Sequence, residues 1–174
     1  MSLDKGMTLR DFRLDDVALL ATLAEDQDVA YYDGDRVPGD WSGEEERKLV
    51  LVPELIGDDS SLPLGIVVCR QVNSQPVVYL VGIDLVADCR GLGLGKLVMR
   101  QVLQKLFGEL AADRVELLVR DYNARAIRCY EAVGFRHEGM RRQCGRIANH
   151  TYSELLMGIL RDEYFIPARF GRQE

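Results

Sequence analysis

The sequence is poor in the residues that mark metal and redox sites. It has two histidines, His137 and His150, which lie too far apart along the chain to suggest a metal site or a histidine-activated nucleophile. No two of its cysteines form a CxxC pair; they are Cys69, Cys89, Cys129 and Cys144. We therefore predict no metal, and we expect reduced thiols that pack as small apolar residues.

Long hydrophobic runs are also absent. Charged residues or glycines interrupt every apolar stretch before it reaches the roughly 20 residues that a membrane helix needs, and nothing near Met1 resembles a secretory leader. We therefore expect a cytoplasmic protein with no membrane partner. The chain has 174 residues, of which 47% are hydrophobic and 29% charged. This size and composition are typical of a single globular domain, here covering residues 1–174.

Positive charge is scarce in the first third of the chain. Residues 1–60 hold 16 acidic and 6 basic side chains, residues 61–174 hold 12 and 16, and the net charge is -6. This balance argues against a nucleic-acid partner, because binding to phosphates needs a basic face. It is compatible with a cationic small molecule or peptide as substrate, and equally with an acidic surface that only aids solubility.

The hydrophobic pattern predicts a strand and then a helix at the start of the chain. Residues 7–12 alternate as a short strand, and Asp15 is expected to cap the following helix. The buried side of that helix is predicted from its apolar positions, which are Val17, Leu19, Leu20 and Leu23. Residues 25–46 favour a loop that leads into a short helix over 43–49. Residues 49–52 either finish that helix or form a strand, and Pro53 is expected to stop regular hydrogen bonding in both cases.

From residue 64 onward strands and helices follow one another in mixed order. Residues 65–72 and 77–86 are rich in β-branched residues and predict a hairpin with a turn at 73–76. Helices are predicted over 96–107 and 124–133, the second with Asn123 as its N-cap and Gly134 at its end. The remaining predicted strands cover 114–120, 135–140 and 151–160. The fold class is therefore mixed α/β (α+β).

The segment Arg90-Gly-Leu-Gly-Leu-Gly-Lys96 is a glycine-rich turn between a predicted strand and a predicted helix. Backbone N–H groups in such a turn can converge on one point, and the positive end of the helix dipole favours an anion such as a pyrophosphate there. Glycines can also serve tight packing alone. The GxGxxG dinucleotide fingerprint fails because Lys96 lies three residues after Gly93, and the P-loop fails because Leu97 follows Lys96. A nucleotide-dependent enzyme is therefore disfavoured.

Two motifs together resemble the GNAT superfamily of N-acetyltransferases. Arg90-x-x-Gly93-x-Gly95 matches the family's RxxGxG loop for the pyrophosphate of coenzyme A, and residues 123–135 are similar to its NxxAxxxYexxGF segment. The resemblance implies a single domain with a mixed, mostly antiparallel central sheet flanked by helices. The segment from Gly134 to Tyr164 is similar to ribosomal-protein alanine acetyltransferases and spermidine acetyltransferases.

The resemblance also implies the residues that bind acetyl-CoA, the acyl donor. Backbone groups of Ile83 and Leu85 would pair with the pantetheine arm like an added strand, and the Leu85 N–H would face the thioester carbonyl, where it can stabilise an oxyanion. Asn123 would contact the coenzyme as well as cap its helix. The pyrophosphate would be held by amides of the turn, namely Gly91, Leu92, Gly93, Leu94, Gly95 and Lys96. The side chains of Arg90 and Lys96 either contact phosphates or are solvated.

The resemblance implies one residue as general acid but leaves the general base open. In the family the position of Tyr130 is the general acid for the departing thiolate, and a phenol with a pKa of about 10 is protonated at neutral pH. The two positions at which some members carry a catalytic glutamate correspond to Val77 and Leu118, which cannot act as bases. Asp84, Glu116 and a chain of water molecules remain as routes for the ammonium proton.

The expected function is acetyl-CoA-dependent N-acetylation of a primary amine in a ternary complex. The acceptor would be a polyamine, a protein N-terminus or another small amine, selected in the family by segments that correspond to residues 25–46 and 141–150. Cys89 and Cys129 are not expected to carry the acetyl group. Homodimers are common in the family and are included among the expected partners. The alternative is a non-catalytic acyl-CoA-binding or sensing module on the same fold, because a glycine turn alone secures the ligand.

Overall fold

A computed structural model describes residues 6–25, 48–57, 61–147 and 149–165 of the chain. In chain order the strands and helices are β1 (Met7–Asp11), α1 (Val17–Glu25), β2 (Lys48–Ile56), β3 (Ser61–Pro63), β4 (Gly65–Ser74), β5 (Val77–Leu85), α2 (Leu94–Gln104), β6 (Arg114–Arg120), α3 (Ala124–Glu131), β7 (Arg136–Ile147), β8 (His150–Leu160) and α4 (Arg161–Phe165). None of the helices in these segments has both the length and the apolar character needed to cross a membrane.

The strands form one eight-stranded sheet in the order β1-β2-β4-β5-β6-β8-β7, with β3 paired to β2. Strands β5 and β6 pair in parallel, and the other described pairs are antiparallel. The mixed, mostly antiparallel sheet with flanking helices that the sequence predicts is therefore confirmed.

The main core lies between the sheet and α2. The predicted buried face of this helix is confirmed, because its members are at most 1% exposed: Val98, Met99, Val102, Leu103, Leu106 and Phe107. Helix α2 begins at Leu94, two residues earlier than predicted, and continues after Gln104 as a π-helical turn, Lys105–Glu109. On β6 the alternate residues Val115, Leu117 and Val119 belong to the same core.

Helix α1 contacts β4 outside that core. Its buried residue is Leu23, whereas the predicted buried position Val17 is 52% exposed. The predicted cap at Asp15 is wrong as well, since a 3-10 turn (Leu14–Asp16) precedes α1 and the Asp16 carboxylate accepts from the Arg13 N–H at 2.7 Å. Asp16 of this turn forms an ion pair with Arg10 of β1. This pair explains why Asp16 is buried while the neighbouring Asp15 is exposed.

Strand β2 corrects two predictions for the first third of the chain. Lys48 and Leu49, at the end of the helix predicted over 43–49, lie in β2, and residues 43–47 are outside the described segments. Pro53 does not end the strand. Its carbonyl accepts from the Leu64 N–H at 2.8 Å, so its missing N–H faces the break between β3 and β4 and removes no ladder bond to β1.

The last hairpin is longer than predicted. Strand β7 runs to Ile147 and β8 begins at His150, so most of the segment 141–150, predicted as a loop, lies in these two strands. Arg141 is opposite Glu154 and Gly145 is opposite Tyr152, with an irregularity in the pairing between them. Helix α3 ends at Glu131, two residues before the predicted end. Its predicted N-cap is confirmed, as the Asn123 side chain accepts from the Ala126 N–H at 3.1 Å.

Candidate functional site

The glycine turn leaves the amino end of α2 open. Gly91 and Gly93 have φ angles of 78° and 81°, in the left-handed region that favours glycine, and a Cβ on either would meet nothing within 4 Å. Gly93 is the N-cap of α2 and offers no side-chain acceptor. The first amides of a helix have no α-helical acceptor, and they carry the positive end of its dipole. In α2 the Lys96 N–H donates to the Gly93 carbonyl at 3.1 Å, so the predicted role of the Lys96 amide in holding a pyrophosphate is not supported. The turn therefore presents N–H groups to a ligand, and an anion suits them.

Gly95 brings three elements together at this turn. A Cβ on Gly95 would lie 3.3 Å from the Cys129 Sγ on α3 and 3.7 Å from the Leu85 Cδ1 on β5. A larger residue would have to push α2 away from both neighbours. The amino end of α2 is thus held against the side of α3 and the end of β5.

Strands β5 and β6 separate next to the turn. Their parallel pairing covers Val78–Leu80 with Arg114–Glu116 and ends there, although both strands continue. The Val86 N–H donates to the Leu64 carbonyl at 2.9 Å on the β4 side. Because peptide groups alternate along a strand, the N–H and carbonyl groups of Ile83 and Leu85 face the opposite side, toward the gap. At Leu85 the carbonyl accepts from Arg90 Nε at 2.8 Å, which ties the glycine turn to this edge.

A cavity of about 390 Å³ lies between the end of β5, the turn, α2 and α3. The residues predicted from the sequence that line it are Ile83, Asp84, Leu85, Arg90, Gly91, Gly93, Gly95, Lys96, Asn123 and Tyr130. Three predicted residues do not line it. Leu92 is 63% exposed on the outside of the turn, Leu94 is 3% exposed in the core, and Glu116 lies on β6 before the strands separate.

The cavity is strongly cationic in a protein of net charge -6. Among the described residues, four cationic side chains line it, Arg90, Lys96, Arg125 and Arg128, against one carboxylate, Asp84. Arg125 and Arg128 are absent from the residues predicted from the motifs. Their signal in the sequence is their spacing, because residues three apart on a helix lie on neighbouring positions of its surface.

Tyr130 occupies the inner wall of the cavity. It is 8% exposed, and its ring meets that of Phe135 edge to face at a centroid distance of 5.9 Å. Asn123 lines the cavity about two helical turns before it. Tyr130 and Asn123, which both belong to the second motif, therefore line the same cavity.

The two candidate carboxylates occupy different environments. Asp84 lines the cavity, one residue from Leu85. Glu116 instead accepts from Arg114 Nε at 3.0 Å, and the same guanidinium pairs with Glu138. Val77 and Leu118, where some family members carry glutamate, do not line the cavity either.

Both cysteines at the cavity are protonated thiols at neutral pH. Burial raises the pKa of Cys89 and of Cys129 above the ordinary value, although the Lys96 charge partly opposes the shift at Cys129. A thiol must ionise to act as a nucleophile, so neither is activated for covalent catalysis. In the described residues, no three His, Cys, Asp or Glu side chains come together in a way that would hold a metal ion.

Residues 17–135, which include the turn, the gap and the Tyr130 helix, match the family model for the acetyltransferase (GNAT) family. The chain belongs to this family. The prediction made from the glycine turn and the second motif is thus confirmed, and the GNAT match ends at Phe135, where that motif ends.

Individual proteins agree with this assignment. A curated relative, the SPbeta prophage-derived uncharacterized N-acetyltransferase YokL of Bacillus subtilis (strain 168), is 33% identical over 75 residues, which are 43% of this chain and 42% of that protein. The match thus spans less than half of that relative's length.

Solved structures share the fold over nearly the whole chain. The spermidine N-acetyltransferase from Vibrio cholerae in complex with CoA and spermine has a TM-score of 0.81 at 18% identity and covers 93% of this chain and 99% of its own. The spermidine/spermine N-acetyltransferase SpeG from Vibrio cholerae in complex with manganese ions has a TM-score of 0.74 at 20% identity, with coverages of 94% and 98%. At such identities the likeness establishes the GNAT fold.

Proposed function

We propose that the protein is an acetyl-CoA-dependent N-acetyltransferase that acts on a primary amine in a ternary complex. The observation that carries the proposal is the cationic cavity, which joins the glycine turn at the start of α2 to the edge of β5 that faces the gap. A coenzyme A molecule has a highly anionic head and an amide-containing arm. The glycine turn suits the anionic head, and the edge of β5 suits the amide-containing arm.

The residues present fit this co-substrate on steric grounds. Gly91 and Gly93 leave empty the space that a Cβ would fill, so a diphosphate can approach the backbone. Ile83 and Leu85 direct peptide groups toward the gap, where the arm can pair with them as a short strand. The N–H of Leu85 then lies where the thioester carbonyl would arrive, and it can donate to the oxygen that gains negative charge.

In the proposed reaction the amine nitrogen attacks the acetyl carbon, an N–C bond forms and the C–S bond breaks. The departing sulfur takes a proton from the Tyr130 hydroxyl, which a phenol can supply at neutral pH. The amine loses its ammonium proton to Asp84, directly or through water, before it attacks, and Asp84 passes this proton to solvent. The second proton, which the nitrogen loses as the amide forms, restores the Tyr130 hydroxyl through solvent. Asp84 is preferred to Glu116 because it lines the cavity, while Arg114 holds the Glu116 carboxylate at 3.0 Å.

Transfer is direct, without an acetylated enzyme. The two thiols at the cavity have raised pKa values and remain protonated, so the amine itself is the better nucleophile once it has lost its proton. The acceptor class is a polyamine, a protein N-terminus or another small amine. Residues 26–47, which the sequence resemblance assigns to acceptor selection, lie outside the described segments.

The test is thiol release from acetyl-CoA in the presence of polyamines, amino acids, aminoglycosides and N-terminal peptides. We expect release that depends on an amine, and in Tyr130→Phe a kcat about 100-fold to 1000-fold lower with little change in the Kd for acetyl-CoA. Tyr164→Phe is the matched control, since this tyrosine packs on Phe107 away from the cavity. Full activity of Tyr130→Phe would remove Tyr130 from the reaction.

A second candidate function is a non-catalytic acyl-CoA sensor. It is favoured by Val77 and Leu118, which stand where some family members carry glutamate. Tight binding of acetyl-CoA without thiol release across the whole amine panel would support it against the enzyme.

We also propose that residues 1–174 form one domain, since every described strand belongs to one sheet. The homodimer, the cytoplasmic location and the lack of a metal or nucleic-acid partner stay predictions. Analytical ultracentrifugation of the full chain tests the first.

A further inference from the structure

We infer that Arg125 and Arg128 on α3 bind the 3′-phosphate on the ribose of coenzyme A, and that they let the enzyme distinguish this coenzyme from its dephospho form. The inference rests on the proposed function, because it concerns how the same cavity recognises the acyl donor. It assigns a role to two residues that neither sequence motif specifies.

The number of cations at the cavity exceeds what a diphosphate alone requires. The glycine turn and Lys96 line the part of the cavity proposed for the diphosphate, and Arg90 donates to the Leu85 carbonyl. Two further guanidinium groups, those of Arg125 and Arg128, remain on the α3 wall. A phosphate monoester carries a charge of about -1.5 to -2 at pH 7, so a third phosphate needs such partners.

The packing of α2 on α3 places these arginines beside the turn. The two helices approach so closely at Gly95 that an added Cβ would lie 3.3 Å from Cys129 Sγ. Arg125 precedes Cys129 by about one helical turn and Arg128 is its chain neighbour. Arg125 and Arg128 therefore line the same cavity as the glycine turn, on its α3 wall. The ribose of the coenzyme follows the diphosphate there, since the arm extends in the other direction, along β5.

No carboxylate in the described segments pairs with these two side chains. Among the described residues neither arginine forms an ion pair or a hydrogen bond, and both are exposed. Glu131 lies three residues after Arg128, which is the spacing of a helical ion pair. Its Oε1 lies instead 2.9 Å from His137 Nε2 on β7. The guanidinium groups stay available for a ligand, and arginine matches phosphate oxygens with two parallel hydrogen bonds.

The experiment measures the Kd of coenzyme A and of dephospho-coenzyme A by calorimetry. The proteins are the full-length chain, Arg125→Gln, Arg128→Gln and the double variant, with thermal unfolding as a check on folding. Arg142→Gln is the matched control, because Arg142 is an exposed arginine on β7 with no ion pair and lies outside the cavity.

We expect the unsubstituted protein to bind coenzyme A about tenfold more tightly than the dephospho form, and each single variant to lose part of that ratio. The double variant is expected to bind both forms equally, with its affinity for dephospho-coenzyme A unchanged. The ratio should also shrink as salt is added.

Two results would overturn the inference. One is equal affinity of the unsubstituted protein for both forms while amine-dependent thiol release proceeds, in which case the proposed function survives and this site does not. The other is a double variant that loses affinity for both forms by the same factor, which would indicate a general structural effect. Failure of the unsubstituted protein to bind either form would instead remove the proposed function itself.

Discussion

The charged residues of this protein form two regions of opposite character. In the first, which we call the Arg10 corner, Arg10 donates to Asp16 at 2.7 and 2.8 Å and to Glu54 at 2.8 Å, and both carboxylates are buried. In the second, the cavity, Lys96, Arg125 and Arg128 are exposed and have no ion pair among the described residues. One region satisfies its charges within the fold and the other leaves them for a ligand.

The difference separates stability from function. The Arg10 corner joins β1, β2 and the 3-10 turn before α1, so removing Arg10 leaves two buried carboxylates without their cationic partner. The cations of the cavity repel one another, and an anion that binds there would reduce this repulsion. Substitutions in the first region should therefore change the free energy of unfolding, and substitutions in the second should change affinity for the coenzyme.

The largest expected effect is that of Arg10→Met. The substitution keeps much of the side-chain volume but leaves two buried carboxylates without their cationic partner. This should lower the free energy of unfolding by about 3 kcal/mol. Urea denaturation at neutral pH measures it, with Arg142→Met, on exposed β7, as the control that should change little. The Kd of the folded fraction for acetyl-CoA should stay the same. A loss of affinity at unchanged stability would contradict the division between the two regions.

Gly93→Val should give the next largest effect, on the ligand side. A β-branched residue at a φ of 81° is strained by about 2 kcal/mol, and relief of that strain would rotate the amides of the turn. We expect the Kd for acetyl-CoA to rise about thirtyfold in calorimetry. Gly139→Val is the matched control, since Gly139 has open space around it and does not have a positive φ. Equal Kd values in the two variants would show that the conformation of the turn is not required.

Local sequence signals predicted the part of the structure that forms the turn and its helices. The spacing of Val98, Met99, Val102 and Leu103 decides which side of α2 is buried, and Asn123 decides where α3 begins. Both signals act within one helix and need no information about distant residues. The same holds for Gly93, whose left-handed conformation follows from a turn between a strand and a helix.

The register between strands and the exact extent of their pairing were not predicted. Whether Asp84 or Glu116 lines the cavity depends on where β5 and β6 separate, which is after Leu80 and Glu116 meet. Pro53 stays in a strand because its missing N–H faces the break between β3 and β4 at Leu64. Which of Asp15 and Asp16 is buried depends on the ion pair with Arg10. Each outcome is set by a partner far along the chain or by the register between strands, which periodicity does not contain.

The third prediction concerns the pH dependence of the Arg10 corner. Hydrogen bonds from Arg10 hold the pKa of Asp16 below its ordinary value. The unfolded chain therefore takes up a proton on Asp16 at a higher pH than the folded protein does. The stabilisation is complete above the ordinary pKa, about 4, and is lost as the pH falls through the folded-state value. The pKa of Glu138 is also below its ordinary value, because Arg114 donates hydrogen bonds to its carboxylate.

Urea denaturation at several values from pH 6 to pH 3 measures this dependence. We expect the unfolding free energy of the unsubstituted protein to decrease more steeply below about pH 4 than that of Asp16→Asn, which lacks the titrating carboxylate. Asp15→Asn is the control, because Asp15 lies in the same turn next to Asp16 but has an exposed side chain. Parallel curves for Asp16→Asn and the unsubstituted protein would show that this carboxylate does not couple protonation to folding.

Lys96→Met should give the smallest effect and tests the cavity without altering its backbone. Lys96 is exposed and pairs with no described acid, so its removal should leave the unfolding free energy within about 0.5 kcal/mol. The Kd for acetyl-CoA should rise severalfold at low salt, by about 0.5 to 1 kcal/mol, and the difference should fade as added salt screens the exposed charge. Lys105→Met, which removes the exposed ion pair with Glu109 outside the cavity, is the control for a lost lysine. An effect of Lys96→Met on stability rather than on affinity would place this cation with the Arg10 corner and not with the cavity.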